Sequence, residues 1–461
     1  MNPQLEQDLR DFSALLARTS LEAQQVLADL DARPAFKTAT AFDLDTLPQQ
    51  GLGALETLEL FLEKYARQMT GSAGARYLGF VTGGATPASV IGDWLCSTFD
   101  NNAADPVLSI TPQLERVTLA MLRDLFGLSE AHSGAFVSGA TMSSFVGLAQ
   151  ARQWLGHQHG VNVAMDGMQH MPAIKIFSGT PHSSIFKVLS MLGIGCSSLE
   201  IIPTLPNREA IDVNALRAAL EKHQQPCIVV ANAGTVNTVD FDDLEGINEL
   251  KTDFPFWLHV DAAFGGFAAT STEFSSLVAG LDAADSITID AHKWLNVPYD
   301  SAMQFSRHQH SQLEVFQNTG AAYLGAISDN PEFVHLTPEN SRRFRALPAW
   351  FTLMAYGREG HAEIVRRNVH LARDLGNRIE NSSTFRLLAP VRMNVVCFTL
   401  QNADQTRITA FLESVRDEGK AFLTPTNYKG TPAIRAAFSN WRTTQADLEL
   451  IWESLSRVVG T

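Results

Sequence analysis

The chain has 461 residues, of which 45% are hydrophobic and 18% are charged, which predicts a large core divided into two or three domains. Its formal net charge of −14 argues against nucleic acid and against an anionic membrane as partners. The four cysteines show no paired spacing, so we expect reduced thiols. The first residues do not resemble a signal peptide and no apolar run is long enough to span a bilayer, so we expect a cytoplasmic protein.

Near the N-terminus, apolar residues recur with the period of an amphipathic helix. Leu5, Leu9, Phe12 and Leu16 are spaced at i, i+4, i+7 and i+11, which places them on one face. Such a stripe has to be buried against another surface. The pattern alone leaves open whether that surface belongs to the same chain or to a second copy.

Farther along, a turn of small residues leads from a short strand into a helix that extends to about residue 152. The turn contains Ser138, Gly139, Ala140 and Thr141. Free backbone amides and the helix dipole make such a helix start suitable for a phosphate group. The same residues are also typical of an ordinary helix cap.

A histidine follows on the loop that leads into the next helix. His182 lies between the strand-like run 174–177 and the helical stretch 185–192. Its aromatic, titratable ring is suited to stacking on a planar cofactor and to contacting a substrate carboxylate. A loop histidine that simply hydrogen bonds to the backbone is the alternative.

The most informative residues lie at the ends of two later strands. Asp261 ends the strand-like run 257–260, and Lys293 follows the run 286–289. A lysine can hold pyridoxal phosphate as a Schiff base while a carboxylate keeps the pyridine nitrogen protonated. The charge-assisted hydrogen bond to that carboxylate contributes roughly 1.5 to 3 kcal/mol. The pair therefore predicts pyridoxal phosphate chemistry at an amino-acid α-carbon.

Strand-like runs alternate with helical stretches from about residue 73 to residue 346. The runs are 135–137, 174–177, 228–231, 258–260 and 286–289. This alternation predicts a mostly parallel central sheet flanked by helices, with the site at the carboxyl ends of the strands. We expect residues 1–72 to form an N-terminal helical segment. Residues 347–461, with helical stretches at 350–356 and 361–378 and a strand-like run at 394–400, are expected to form a smaller α/β domain.

Together these motifs resemble the group II pyridoxal-phosphate-dependent amino-acid decarboxylases, which include aromatic-L-amino-acid, glutamate and diaminobutyrate decarboxylases. The resemblance begins at 76–80, includes 111–115 and the motifs above, and continues through 341–347 to 440–444. It implies a fold-type I, aspartate-aminotransferase-like enzyme that acts as a homodimer, with the N-terminal helices against the second subunit. The implied activity is decarboxylation of an L-amino acid to the amine and carbon dioxide.

The resemblance also implies roles for individual residues. Lys293 carries the cofactor, Asp261 binds its pyridine nitrogen, and Ala263 and His182 pack against opposite faces of its ring. These three, Lys293, His182 and Asp261, are the expected catalytic residues. The remaining expected cofactor-binding residues are Ser138, Gly139, Ala140, Thr141, Asn232, Asp290 and His292.

The chain departs from the family pattern at two places. Met142 and Ser143 replace the Glu-Ala pair that usually follows the phosphate turn. Farther on, Phe333 falls near the position of a mobile-loop tyrosine that is thought to protonate the product in aromatic decarboxylases, and Tyr323 is a candidate for a displaced substitute. Family members with phenylalanine there resemble aldehyde synthases, which couple decarboxylation to oxidative deamination. That reaction is therefore an alternative.

The substrate side of the site is less well defined by the sequence. Phe80 belongs to the segment 77–86, which by resemblance lines the substrate pocket and is largely apolar. Because no unpaired cation indicates an acidic substrate side chain, we expect an aromatic or bulky apolar L-amino acid. Arg435 is a candidate for binding the substrate carboxylate, and a structural salt bridge is its alternative role.

Three further points complete the sequence-based expectations. An aminotransferase or a carbon–carbon lyase of the same fold remains open as an activity. A protein that keeps the fold without catalysis is disfavoured, because Asp261, His182 and Lys293 are all present. The histidines and cysteines lack the spacing of metal ligands, so we expect no metal site.

Overall fold

The computed structural model describes residues 1–38, 46–103, 109–318 and 331–459. Two sheets organise this part of the chain, one with seven strands and one with four. Over the described ranges, no helix is both long enough and apolar enough to cross a membrane.

The N-terminal segment consists of three helices that lie outside the core. They are α1 (Pro3–Arg10), α2 (Phe12–Ala28) and α3 (Ala54–Lys64). The predicted amphipathic helix is thus divided at Asp11, which ends α1 and precedes α2. None of the residues in these three helices is buried within the chain. The apolar stripe therefore faces outward.

The larger sheet forms the centre of the molecule. Its strands are β1 (Ser133–Val137), β2 (Ile176–Ser178), β3 (Leu199–Ile201), β4 (Cys227–Asn232), β5 (Phe256–Asp261), β6 (Ser286–Ile289) and β7 (Ala302–Ser306). They are ordered β1-β7-β6-β5-β4-β2-β3, and only β7 runs antiparallel to its neighbours. Every residue of β4, β5 and β6 is buried, as expected for strands covered on both faces.

Helices cover both faces of this sheet. They are α4 (Pro87–Phe99), α5 (Thr111–Phe126), α6 (Ala140–Gln158), α7 (Val163–Asp166), α8 (Ser183–Met191), α9 (Val213–His223), α10 (Leu244–Glu249), α11 (Ala291–Trp294) and α12 (Gln309–Phe316). Apolar residues of α5, α9 and α10 pack in one core cluster and those of α6 and α8 in another. Phe136 and Trp257 are among the largest fully buried side chains. The sheet is thereby a rigid platform for residues at its carboxyl edge.

The C-terminal part forms the smaller, antiparallel sheet. Its elements are α13 (Ala346–Glu380), β8 (Phe385–Leu387), β9 (Val395–Leu400), α14 (Gln405–Glu418), β10 (Thr424–Tyr428), β11 (Thr431–Ala437) and α15 (Gln445–Val459). The strands are ordered β10-β11-β9-β8. The helical stretches expected at 350–356 and 361–378 are one element interrupted at Gly357, whose φ is 58°. Tyr77 forms a bridge to Phe422, which ties the segment after the N-terminal helices to this region.

The mostly parallel sheet flanked by helices confirms the predicted architecture. The sequence analysis did not identify β3, which has only three residues, or β7, whose antiparallel direction depends on the connection after β6. The proposed boundaries at residues 72 and 346 stay a prediction. The two sheets fall within the second and third of those segments.

Candidate active site

A cavity of about 440 Å³ opens at the carboxyl ends of the central strands. It lies where the register of the parallel strands pairs Asn232 with Asp261 and Asp261 with Thr288. Most of the residues selected from the sequence line it. They are Phe80, Ser138, Gly139, Ala140, Thr141, His182, Asn232, Asp261, Ala263, Asp290, His292 and Lys293.

Asp261 and Lys293, on which the prediction mainly depends, line the same cavity. Asp261 is the last residue of β5, and its Oδ1 accepts a hydrogen bond of 3.1 Å from the Ala263 backbone N–H. Lys293 lies on the short helix α11, with its Nζ 3.8 Å from Asp290 Oδ2 and 5.3 Å from the Phe264 ring centroid. This arrangement places a carboxylate and an amine around one space that can contain a planar ring.

The start of α6 provides a place for a phosphate group. Gly139 precedes the helix without a side-chain cap, and the first turn contains no acidic residue. A Cβ built on Gly139 would make an ordinary contact of 3.6 Å with His292 Cε1, and both residues line the cavity in front of the helix. Backbone amides that have no acceptor within the helix, together with the positive end of the helix dipole, favour an anion there. The residues present therefore fit the phosphate of pyridoxal phosphate.

The replacement of the usual acid after the phosphate turn has a local structural role. Ser143 turns into the core, where its Oγ lies 3.0 Å from both Thr288 Oγ1 and the Met303 carbonyl oxygen. Met142 lines the cavity instead. The change thus replaces a carboxylate by an apolar side chain next to the cofactor space.

His182 is oriented by the helix that it precedes. The Ser184 backbone N–H donates to His182 Nδ1 at 3.2 Å, so the proton of the neutral ring is on Nε2. Surrounding protein atoms exclude water from part of the ring and lower its pKa, while the Asp261 carboxylate opposes this shift. Lys293 and Arg435 lower the pKa further. The ring is therefore neutral at pH 7 and remains accessible from the cavity.

Asp290 and His292 are two titratable residues that lie near both the start of α6, where a phosphate would bind, and Lys293. Burial raises the pKa of Asp290 to about 7, although the Lys293 cation acts in the opposite direction. Burial, reinforced by Lys293, lowers the pKa of His292 to about 4. His292 Nδ1 lies 3.0 Å from Asp290 Oδ1, and the Tyr299 ring lies against the imidazole with centroids 4.2 Å apart. Sequence reasoning did not identify Tyr299.

Arg435 lies behind the cavity wall. Its Nη1 donates a 2.8 Å hydrogen bond to the carbonyl of Val236, which lines the cavity. The side chain is buried, its Nε has no hydrogen-bond partner, and no carboxylate of the described chain forms an ion pair with it. The structural salt bridge considered from the sequence is therefore not found among these residues. The guanidinium is a buried positive charge beside the site.

Phe333, one of the two residues considered for the mobile-loop position, does not line this cavity. Phe333 is buried, with the guanidinium carbons of Arg342 and Arg116 located 4.7 and 5.2 Å from its ring centroid, and it lines a different cavity. Tyr323 lies outside the described residues.

The structure reveals a cation at the mouth of the cavity that sequence reasoning missed. Lys187 lies on α8, five positions after His182, and lines the cavity together with Met191. Its side chain is exposed, and it forms no ion pair or hydrogen bond with the described chain. The expectation that no unpaired cation is available to the substrate was wrong. Local sequence patterns could not have identified it, because only the position of α8 at the cavity mouth brings this side chain to the site.

A strained loop contacts the backbone of Lys293. Phe80 and Val81 both have positive φ, 60° and 64°, which is unusual for such side chains. A Cβ built on Gly83 would lie 1.8 Å from the Lys293 carbonyl oxygen. Asn296 Nδ2 donates to the Gly83 carbonyl at 2.7 Å and holds the two segments together. Local sequence patterns gave no indication of this contact.

Comparisons with known proteins agree with this geometry. The family model described as "Pyridoxal-dependent decarboxylase conserved domain" matches residues 69–401. Aromatic-L-amino-acid decarboxylase of Bacillus atrophaeus is 27% identical over 420 residues, which cover 88% of this chain and 85% of that protein. The Bos taurus protein of the same name is also 27% identical, with 96% and 92% covered. A 3,4-dihydroxyphenylacetaldehyde synthase of Drosophila melanogaster is 31% identical, but over only 52% of this chain and 49% of that protein.

Solved structures share the fold over nearly the whole chain. Oryza sativa TDC with PLP and tryptamine gives a TM-score of 0.88 at 20% identity, with 98% of both chains covered. Rhodiola rosea 4-hydroxyphenylacetaldehyde synthase gives 0.87 at 22% identity, again with 98% of both chains covered. Both confirm the predicted fold-type I architecture.

Proposed function

Because the chain belongs to the pyridoxal-dependent decarboxylase family, we propose that it removes the carboxyl group of an aromatic or bulky apolar L-amino acid and releases the amine. It is a pyridoxal-phosphate-dependent amino-acid decarboxylase, and the choice of substrate is the proposed part. The observation that carries the proposal is the single cavity that Asp261, Lys293 and the open start of α6 surround.

Each of these groups has a distinct task. When bound, pyridoxal phosphate draws electrons from the bond that breaks at the substrate α-carbon. Lys293 anchors the cofactor aldehyde through its amine. The Asp261 carboxylate accepts a hydrogen bond from the ring nitrogen and holds the proton there. The amides of Ala140 and Thr141 at the start of α6 bind the phosphate, and Ala263 supports the ring.

The remaining side chains orient the substrate. A decarboxylase must hold the carboxylate out of the plane of the conjugated ring, so that the carbon–carboxylate bond is the one that breaks. The neutral His182 ring has a donor at Nε2, and the buried Arg435 cation lies behind Val236. We assign the substrate carboxylate to the side of the cavity near His182 and Val236, where a hydrogen bond and a positive charge both favour it.

The apolar lining supports the proposed substrate class. Phe80, Met142, Val236 and Phe264 all face the cavity, and apolar surfaces of this kind favour an aromatic or bulky apolar side chain. The names of the relatives that cover most of the chain point to the same class. A second candidate is an acidic amino acid, because the free ammonium of Lys187 at the cavity mouth can bind a carboxylate side chain.

A substrate panel distinguishes these possibilities. The purified enzyme, loaded with pyridoxal phosphate, is incubated with aromatic, aliphatic, acidic and basic L-amino acids, diaminobutyrate included, while carbon dioxide, amine, ammonia and peroxide are measured. We expect carbon dioxide and amine in equal amounts from an aromatic or bulky apolar substrate. Turnover of only glutamate or diaminobutyrate would overturn the substrate proposal, and a loss of glutamate turnover in Lys187→Gln would then identify the cause.

The same assay tests the alternative reactions. Ammonia and peroxide produced in step with carbon dioxide would show an aldehyde synthase. Turnover that depends on an added keto acid would show an aminotransferase. Borohydride reduction followed by peptide mapping should place the cofactor on the peptide that contains Lys293, and the Lys293→Ala protein should remain unlabelled. A label on another lysine would refute the site.

The enzyme is further proposed to be a homodimer. Leu5, Leu9, Phe12, Leu16 and Leu21 are each more than half exposed in the single chain. Helices this short are not stable alone in water, and a continuous exposed apolar surface marks an interaction site. A second copy of the chain is the proposed partner. Light scattering of the purified protein should give twice the mass of one chain.

The proposed location of the enzyme is the cytoplasm. All four cysteines are free, and Cys96, Cys227 and Cys397 are buried. Burial raises the pKa of the Cys227 and Cys397 thiols to about 12, which keeps them protonated and unreactive. Unpaired thiols of this kind suit a reducing compartment. Fractionation of the native source with detection of the protein would test this location.

A further inference from the structure

Asp290 occupies a position that the cofactor phosphate is also expected to use. It is the residue between β6 and α11, it is almost fully buried, and its side chain lines the cavity. Its Oδ2 accepts a hydrogen bond of 3.3 Å from the Ala140 backbone N–H. Ala140 is the first residue of α6, and its amide is one of those assigned above to the phosphate. The carboxyl group and the phosphate therefore share one small region.

The other oxygen of this carboxyl group has no hydrogen-bond partner. Asp290 Oδ1 is buried, and no group in the described ranges has the geometry to donate to it. His292 Nδ1 lies 3.0 Å away, but this nitrogen is likewise without a hydrogen-bond partner. A buried polar atom without a partner is uncommon, and here the residue that carries it lines the cavity in which the phosphate is expected to bind.

The charged groups around Asp290 determine its protonation state. Lys293 faces it from α11 at 3.8 Å and favours the carboxylate, whereas Asp261 faces it from β5 and favours the neutral acid. His292 is uncharged near neutral pH, and the first turn of α6 carries no acidic side chain. Burial dominates this balance and raises the pKa of Asp290 to about 7. Asp290 can therefore gain or lose a proton near neutral pH.

Binding of the cofactor shifts the protonation equilibrium of Asp290 toward the neutral acid. A phosphate at the start of α6 brings negative charge next to Asp290, and it competes for the Ala140 amide. Both changes disfavour the carboxylate.

We propose that Asp290 takes up one proton from solvent when the cofactor phosphate binds, and that the neutral carboxyl group then donates a hydrogen bond to a phosphate oxygen. Asp290 is thus a positioning residue that couples cofactor binding to pH. This inference rests on the proposed placement of the phosphate at the start of α6.

The test measures the binding of pyridoxamine 5'-phosphate to the full chain after removal of the cofactor. This ligand carries the phosphate but has no aldehyde, so it cannot react with Lys293. If Asp290 titrates near pH 7 when free and is neutral in the complex, the dissociation constant should rise about 15-fold between pH 7.0 and 8.5. Relative to Asp290→Asn, the wild-type protein should take up about 0.9 proton per site at pH 8.0, measured by calorimetry in two buffers of different ionisation enthalpy.

Two comparisons isolate the effect. The Asp290→Asn protein should bind the ligand with less than about a twofold additional change over the same pH range, because no carboxyl group remains to titrate. Asp300→Asn is the matched control, since Asp300 is exposed and pairs with Arg345 outside the cavity. It should behave as the wild-type protein does.

The possible outcomes separate this inference from the placement of the phosphate. Equal pH dependence in the wild-type and Asp290→Asn proteins, with binding retained in both, would overturn the inference alone. Absence of binding to the wild-type protein would overturn the phosphate placement and the inference together. If Asp290→Asn does not fold, pyridoxamine without phosphate replaces it as the reference for the wild-type protein. An identical pH dependence for both ligands would then refute the role of Asp290.

Discussion

Replacement of Gly83 by alanine tests whether the loop before α4 positions Lys293, the proposed cofactor-binding lysine. Gly83 is buried, and the added Cβ would lie 1.8 Å from the Lys293 carbonyl oxygen and 2.5 Å from Asn296 Nδ2. The nearest atom belongs to the backbone and not to a flexible side chain, so it cannot rotate away. Either the loop or the segment that contains Lys293 has to move.

The expected cost follows from these contacts. Overpacking of a dense core typically costs about 1 to 3 kcal/mol. A shift of the loop would also weaken the 2.7 Å hydrogen bond from Asn296 to the Gly83 carbonyl, which adds about 1 kcal/mol. We therefore expect Gly83→Ala to lower the free energy of unfolding by about 2 to 4 kcal/mol. Because a displacement of about 1 Å at a reacting group can reduce rates about 100-fold, the loss of activity should exceed the loss of folded protein.

The assay combines denaturant unfolding with titration of pyridoxal phosphate into the cofactor-free protein, followed by the absorbance of the bound cofactor. Gly127→Ala is the control, since Gly127 has a φ of 67° and no atom within 4 Å of the added Cβ. It should cost about 1 kcal/mol of stability through backbone strain, with unchanged cofactor binding and activity. If Gly83→Ala bound the cofactor and turned over substrate as Gly127→Ala does, the proposed coupling would be refuted.

Three further predictions address the substrate, the buried acid and the interface. Arg435→Ala should raise KM about 10-fold or more, as expected for loss of an interaction with a carboxylate, and an unchanged KM would remove Arg435 from the site. The raised pKa of Asp290 means that the folded chain binds a proton more tightly than the unfolded chain does. The cofactor-free wild type should therefore lose about 3 kcal/mol of unfolding free energy relative to Asp290→Asn as pH rises from about 4 to 7. Denaturant unfolding of both proteins at several pH values measures this difference, and parallel profiles would contradict it. Leu9→Lys should weaken the proposed dimer at least 100-fold, because each of the two subunits loses an apolar contact worth about 1.5 kcal/mol or more. Light scattering at low protein concentration measures this effect, and an unchanged mass would contradict the interface.

The central part of the site was predictable because it depends on strand ends. Asp261 and Lys293 each follow a run of residues that forms a fully buried strand. The carboxyl ends of parallel strands meet at one edge of a sheet, so sequence order and strand assignment suffice to bring both side chains together. The helix start at Ala140 was predictable for the same reason, since it directly follows β1.

Other parts of the site depend on contacts that no local pattern records. Phe333 was selected by counting along a loop, yet its ring is held between Arg116 and Arg342 from other elements. Lys187 was overlooked because a lysine on an exposed helix face is usually solvated, and only the position of α8 at the cavity mouth makes it available to a substrate. In both cases the packing of distant segments decides the role of the residue.

The loop at Gly83 shows why a long-range constraint can require a particular residue type. One end of the loop is held to the smaller sheet, since the Leu78 N–H donates to the Phe422 carbonyl at 2.8 Å. The other end is held by Asn296, 213 positions away from Gly83 in sequence. Between these anchors the chain turns through two residues with positive φ, Phe80 and Val81, at a cost of about 1 to 3 kcal/mol each. Because both ends of the loop are held, a Cβ at position 83 can be accommodated only by weakening one of these contacts or by shifting the Lys293 segment, and glycine alone fits without such a movement.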